Sequence, residues 1–252
     1  MMIMKPVSKE FICQAFGIGE PPVELYKNPE QQALKAGLSA ERTIEAALWL
    51  PYAAKVYKLS PDIKDYVLVP VPVMITNMPN TNGDSVTIQE FLRFDPRLGQ
   101  QAFKTFRGKP CHLEHANQVI ENAKGVILDV FLRPMPKFGQ GKYYKLVELM
   151  AYDRSKDPLL VNSILTGENN AYSVGFYFKG YSCSICGARV GQGTAGKPCG
   201  HTFPRKPTYR MDDGQLAYRQ CTDIEGFETS VVANPSYVSA VGPHIMDASS
   251  VA

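Results

Sequence analysis

The feature that most constrains this chain is Cys183-Ser184-Ile185-Cys186-Gly187 followed by Cys199-Gly200-His201, with twelve residues between Cys186 and Cys199. Two thiolates spaced Cys-x-x-Cys can grip one ion, and Gly187 permits the tight turn this needs. Cys199 and His201 then complete a tetrahedral set of three sulfurs and one imidazole. Soft donors in that set favour Zn²⁺, and a closed four-ligand site is structural. Cys221 is an alternative to His201 as fourth donor. Residues 182–221 are rich in Cys, Gly, Pro and Arg and show little apolar periodicity, so they have little to fold around except the ion. They are predicted to form an inserted zinc-knuckle module. Clustering of this kind points to metal, not to a disulfide framework.

The rest of the chain carries enough apolar sequence for a core. Of 252 residues 44% are hydrophobic and 20% charged, which suits one large domain with a small appended module. The formal net charge is +3, with Lys and Arg scattered, which argues against nucleic acid as the main partner. No apolar run reaches the roughly 18 residues of a membrane span, and none follows the N-terminus at signal-peptide length, so a cytoplasmic site of synthesis is expected.

Residues 1–60 read as a helical region. Ser39 is a candidate N-cap for a helix over 40–50, and Pro51 falls just past its end. Residues 66–76 are β-branched and apolar, and Pro70 and Pro72 predict an edge strand or a bulge there. Residues 77–84 have turn chemistry, and 85–92 open a short helix. A second short apolar segment, 100–106, ends at Gly108. Strands are expected over 124–132, 143–152, 171–181 and 225–232, with a helix over 157–165. The tail after Gly242 is small and polar and is expected to lack structure. Regular βαβ alternation is missing, so the expectation is an α+β fold with a mostly antiparallel sheet.

Two segments carry nucleophile chemistry. Leu113-Glu114-His115-Ala116-Asn117 offers a base, and Ala171-Tyr172-Ser173-Val174-Gly175-Phe176 offers a hydroxyl. No G-x-S-x-G elbow is present, which excludes the usual α/β-hydrolase arrangement. Strand alternation sets Ser173 and Gly175 on the face opposite Tyr172 and Val174. Among the other histidines, His112 shares the loop, His201 is better used as a ligand, and His244 lies in the tail. A third group is needed to orient the base. Glu228 is the best acidic candidate, on a face with Ser230 and Val232; Asp223 and Glu225 are weaker ones.

Taken together, these segments resemble the prohead maturation proteases of tailed bacteriophages, relatives in fold of the herpesvirus assemblins. The likeness lies in four pieces in the family's order. Residues 76–84 are similar to its Asn-rich turn ending in Asn-Gly. Gly108-Lys109-Pro110, then Glu114-His115, then a strand led by Gly125 are similar to its catalytic His loop. Tyr172-Ser173-Val174-Gly175-Phe176 is similar to its nucleophile strand, and residues 227–235 are similar to its closing strand. A CSICG-type knuckle with a later Cys-x-His between those two strands also resembles some members.

The resemblance spans about residues 66–240 and implies Ser173 as nucleophile and His115 as base, with Glu228 as third member. It implies a β-barrel-like sheet surrounded by helices, with a protease core at 61–181 and 222–241. The zinc module at 182–221 would then be inserted between neighbouring strands. Residues 1–60 would be a candidate pro-segment, and 242–252 a flexible tail. The implied reaction is peptide-bond hydrolysis through an acyl-enzyme. The implied substrates are scaffold or core proteins and major capsid proteins, and the chain itself, cut inside the prohead in the host cytoplasm; a homo-oligomer is compatible with this. Cleavage after Glu with an apolar residue two positions before it, as in one phage group, would fit Ile88-Gln89-Glu90 and Leu146-Val147-Glu148. Two rival readings are a zinc ribbon that binds nucleic acid, and an inactive capsid-assembly protein with the same fold.

Overall fold

The computed structural model describes residues 50–135, 142–191, 196–202, 214–237 and 240, together with the backbone of 5–6, 209–210 and 246–247. The expected helix over 40–50, apart from Leu50, and the module residues 203–208 therefore lie outside the described residues, as does most of the tail.

The strands that position the site are β1 (Tyr66–Ile75), β2 (Asp84–Val86), β3 (Pro110–Leu113), β4 (Gly125–Pro134) and β5 (Tyr144–Asp153), then β6 (Tyr172–Tyr177), β7 (Gly180–Cys183), β8 (Arg189–Gly191), β9 (Arg219–Thr222) and β10 (Glu225–Val231). Among the described residues the α-helices are α1 (Leu50–Tyr57), α2 (Ile88–Leu92) and α3 (Pro158–Leu165). The fold is α+β and mostly sheet. Its main sheet has the order Met246–Asp247, β1, β5, β4, β3, β10, β6. It curls into a half-barrel, and β6 at one end comes back into contact with β1 near the other.

Alternation along the strands divides the apolar side chains between two cores. Val67, Val69 and Val71 of β1 point into the curl, with Ile127, Met150 and Tyr172. Tyr66 and Leu68 point outward and pack with Val126 and Leu149 under α1, through Leu50 and Ala54. The Tyr57 hydroxyl of that helix donates to the Gly108 carbonyl (2.7 Å). Pro51 was expected to lie past a helix end but sits in the first turn of α1, where its missing N–H would have had no intrahelical partner.

The prolines of β1 act as foreseen: its pairing with β5 slips between Pro72 and Met74. Gly125 opens β4 because a Cβ there would lie 2.1 Å from the Ala151 carbonyl oxygen. Residues 85–92 divide between β2 and α2, which begins after Thr87, whose hydroxyl accepts from the Glu90 N–H. Residues 102–106 form a 3₁₀ turn. Among the described strands, pairing is antiparallel except for β10 with β3 and β9 with β2.

The Ser173 strand ends at Tyr177, four residues short of the expected boundary. The chain then crosses to a second sheet of order β8, β7, β9, β2. The cysteine segment is thus tied to the main body: β9 runs parallel to β2, and Arg219 bonds Asp84 (2.7 Å). Two residues of the tail, Met246–Asp247, pair with β1 instead of lacking structure. No helix among the described residues is long and apolar enough to cross a membrane.

Candidate active site and candidate metal centre

Strand β10 organises the site. Thr229 faces the interior of the curl, while Glu228 and Ser230 face out. The outward face gathers one residue from each neighbouring strand: Ser230 lies opposite Ser173 of β6 on one side and opposite His112 of β3 on the other. Glu228 lies opposite Gly175, and that glycine is required there. A Cβ at Gly175 would lie 2.6 Å from Glu228 Oε1. The space that Gly175 leaves beside Ser173 is thus occupied by the Glu228 carboxylate.

Past β3 the chain turns sharply through Glu114 (φ 48°) and His115 (φ 56°). Two consecutive non-glycine residues in the left-handed region are costly and need external support. Three hydrogen bonds supply it. The Glu114 N–H donates to the Val231 carbonyl (2.8 Å), the Ala233 N–H donates to the Glu114 carboxylate (2.7 Å), and the His115 N–H donates to Ser230 Oγ (3.2 Å).

The turn delivers His115 Nδ1 to 2.7 Å from Glu228 Oε1. Ser230 Oγ donates to the other carboxylate oxygen, Oε2, at 2.6 Å. Glu228 is buried, and both of its oxygens are engaged. A carboxylate partner assigns the imidazole proton to Nδ1, which leaves Nε2 as the basic nitrogen. The His115 pKa is raised: its hydrogen bond to Glu228 outweighs the opposing effect of burial, and the charges of Glu228 and Glu114 add to it.

Ser173 is buried at 5% exposure, and its hydroxyl makes no hydrogen bond with a described residue. His115 and Glu228 are therefore joined, while no bond between Ser173 and His115 is formed. Asp223 and Glu225 are not part of this network: Asp223 lies 3.7 Å from Arg93, and Glu225 pairs with Tyr177 at the far end of the strand. His112 is buried, its Nδ1 has no partner among the described residues, and burial lowers its pKa. The sequence did not disclose the bridging role of Ser230 or the anchoring role of Glu114. Alternation placed Ser230 beside Glu228, but the contact with the His115 turn depends on a pairing more than a hundred residues apart.

The second cluster holds Cys183, Cys186, Cys199 and His201, whose donor atoms all lie within 4.8 Å of one another. The local geometry is that of a metal knuckle. The Ile185 N–H donates to Cys183 Sγ (3.4 Å), and Gly187 turns at φ 68° with its N–H on the Cys183 carbonyl (3.0 Å). Burial acts to raise the Cys199 thiol. Hydrogen bonds from Thr202, the His201 amide and Cys183 outweigh it and bring the thiol down to about 6. Burial pushes Cys183 up to about 11. His201 Nδ1 is buried without a partner among the described residues. Three sulfurs and a buried imidazole nitrogen without a partner fit a metal ion, and these four residues can hold one. Cys221 is no alternative to His201. It is buried in the main core with its thiol on Asp84 (3.6 Å).

Comparison with family models, curated proteins and solved structures gave no match. The functional reading therefore rests on these residues and their arrangement. Glu90 and Glu148, the two candidate self-cleavage residues, are both buried, Glu90 in α2 and Glu148 in β5.

Proposed function

We propose that this chain is a serine endopeptidase of the prohead-maturation type, with an assemblin-like barrel as its core. The observation that carries the reading is the His115–Glu228–Ser230 network, whose Ser230 lies directly opposite Ser173 on the adjacent strand. A hydroxyl is a weak nucleophile until a base takes its proton. In this reading, His115 Nε2 accepts the Ser173 proton as Oγ attacks a peptide carbonyl. Glu228 holds the Nδ1 proton and stabilises the imidazolium that forms. His115 then gives its proton to the leaving amine, and water releases the acyl group by the same path in reverse. A strand-borne serine with a turn-borne histidine matches the motifs that resemble the phage proteases.

Cys183, Cys186, Cys199 and His201 would hold structural Zn²⁺. When bound, the ion cross-links the segment between β7 and β9. The substrates are scaffold and major capsid proteins inside the assembling prohead. The test is co-expression of the wild type or Ser173→Ala with candidate scaffold and capsid substrates. Fragments with the wild type alone support the reading, and equal cleavage by both overturns it. No cleavage, together with zinc-dependent retardation of nucleic acid, would favour the binding-module alternative.

A further inference from the structure

Glu148 is buried in the interior of the curl, among valines and aromatic rings. Its neighbours in register are Val71 of β1 and Val130 of β4, both apolar. A carboxyl group in such a place is expensive unless something requires it. Its Oε2 lies 2.8 Å from Thr229 Oγ1, and its Oε1 has no partner among the described residues. Strands β4 and β3 stand between β5 and β10 in the sheet. The Glu148–Thr229 bond is therefore a chord across the interior of the half-barrel. It ends on the residue between Glu228 and Ser230, on the opposite face from the site.

We propose that Glu148 is a positioning residue: through Thr229 it fixes the stretch of β10 that presents Glu228 and Ser230 to His115. This rests on the protease reading of that site. Thr229 Oγ1 also lies 3.0 Å from the Glu228 carbonyl oxygen, and one hydroxyl proton cannot serve both acceptors. A protonated Glu148 resolves this, since it donates to Thr229 Oγ1 while Thr229 donates to the Glu228 carbonyl. Burial, with the Glu228 charge adding to it, holds the Glu148 pKa at about 8 against the opposing effect of a Thr229 hydroxyl that donates to the ionised carboxylate. The other titratable groups around it are Cys111 of β3, Tyr152 of β5 and Tyr172 of β6. All three are raised by burial and neutral over the same range. Ionised Glu148 could keep the chord only by drawing the Thr229 proton away from the Glu228 carbonyl, and it would face Glu228 as a like charge.

The test uses the full chain as wild type, Glu148→Gln and Thr229→Val. Two readouts are taken: the rate of Ser173 labelling by a fluorophosphonate across pH, and the His115 imidazole titration by NMR. Wild-type labelling should fall above pH 8, about tenfold one unit higher, because only about a tenth of Glu148 stays neutral there. Glu148→Gln should keep the plateau. Thr229→Val should lower the His115 pKa toward its ordinary value and cut labelling at least tenfold. The proposal is overturned if wild type and Glu148→Gln decline together and folded Thr229→Val leaves the His115 titration unchanged. If Ser173→Ala reacts like the wild type, the protease reading fails separately, and the His115 titration still decides the role of Glu148.

Discussion

Gly175→Ala should disable the site without touching any residue that carries the chemistry. The added methyl would lie 2.6 Å from Glu228 Oε1, 2.7 Å from Phe227 Cζ and 2.9 Å from Phe227 Cε2. Neither neighbour can give way easily. The Phe227 ring is stacked on Tyr177 at 4.4 Å between centroids. The carboxylate is pinned by His115 at 2.7 Å and Ser230 at 2.6 Å. Overpacking of this sort costs about 1–3 kcal/mol. Displacing the carboxylate forfeits a charge-assisted bond worth about 1.5–3 kcal/mol. A loss of about 2–3 kcal/mol lowers the melting temperature by roughly 5–10 °C in a domain of this size. If the lost bond is the one that orients the base, the same energy lowers the rate by about 10²-fold. Thermal unfolding and the rate of Ser173 labelling measure both effects, and the His115 pKa should fall in parallel. A variant with a wild-type rate and an unchanged His115 titration would show that Glu228 does not work from above Gly175.

Ser230→Ala removes the hydroxyl that joins the His115 N–H to Glu228, and should cost about 1–2 kcal/mol in chemical denaturation, with a slower Ser173 reaction. Glu228→Gln takes away the charge that raises the His115 pKa. The base works only when unprotonated, so the rise of rate with pH should move to lower pH while the plateau drops by about 10³–10⁴-fold; an unmoved limb would exclude the pairing. Because folding raises the His115 pKa, its contribution to stability is full below the unfolded value near 6.5 and fades as pH rises through the folded value. Melting temperature should therefore decline with pH over that window in the wild type, and not in His115→Ala. A chelator should loosen the chain around Cys183, Cys186, Cys199 and His201 and alter the circular dichroism; an unchanged spectrum and unchanged activity would refute a structural metal.

Period-two alternation was legible wherever a strand has one buried face. It placed Ser173 with Gly175 and Glu228 with Ser230, as the structure does. The cysteine spacing was legible because ligand geometry is local, and Cys183, Cys186, Cys199 and His201 do converge. What stayed hidden depends on pairing between distant segments. Strand β3 has four residues and begins with a proline, so nothing local marks it as a strand. It exists because β10 and β4 flank it. Glu148 lies within Leu146-Val147-Glu148-Leu149-Met150, where the sequence suggested only a cleavage motif. Only the curl of the sheet turns it inward to Thr229. The end of β6 at Tyr177 was missed because Phe178 and Tyr181 extend the aromatic pattern across Lys179-Gly180, where the chain changes sheets.

Mass-spectrometric mapping of a fluorophosphonate adduct on the full chain separates the two facing serines. Ser173 and Ser230 face each other across β6 and β10, so the adduct distinguishes a nucleophile from a buttress. The account predicts one adduct, on Ser173, that disappears in His115→Ala. An adduct on Ser230, or one on Ser173 that forms at the same rate without His115, would contradict it.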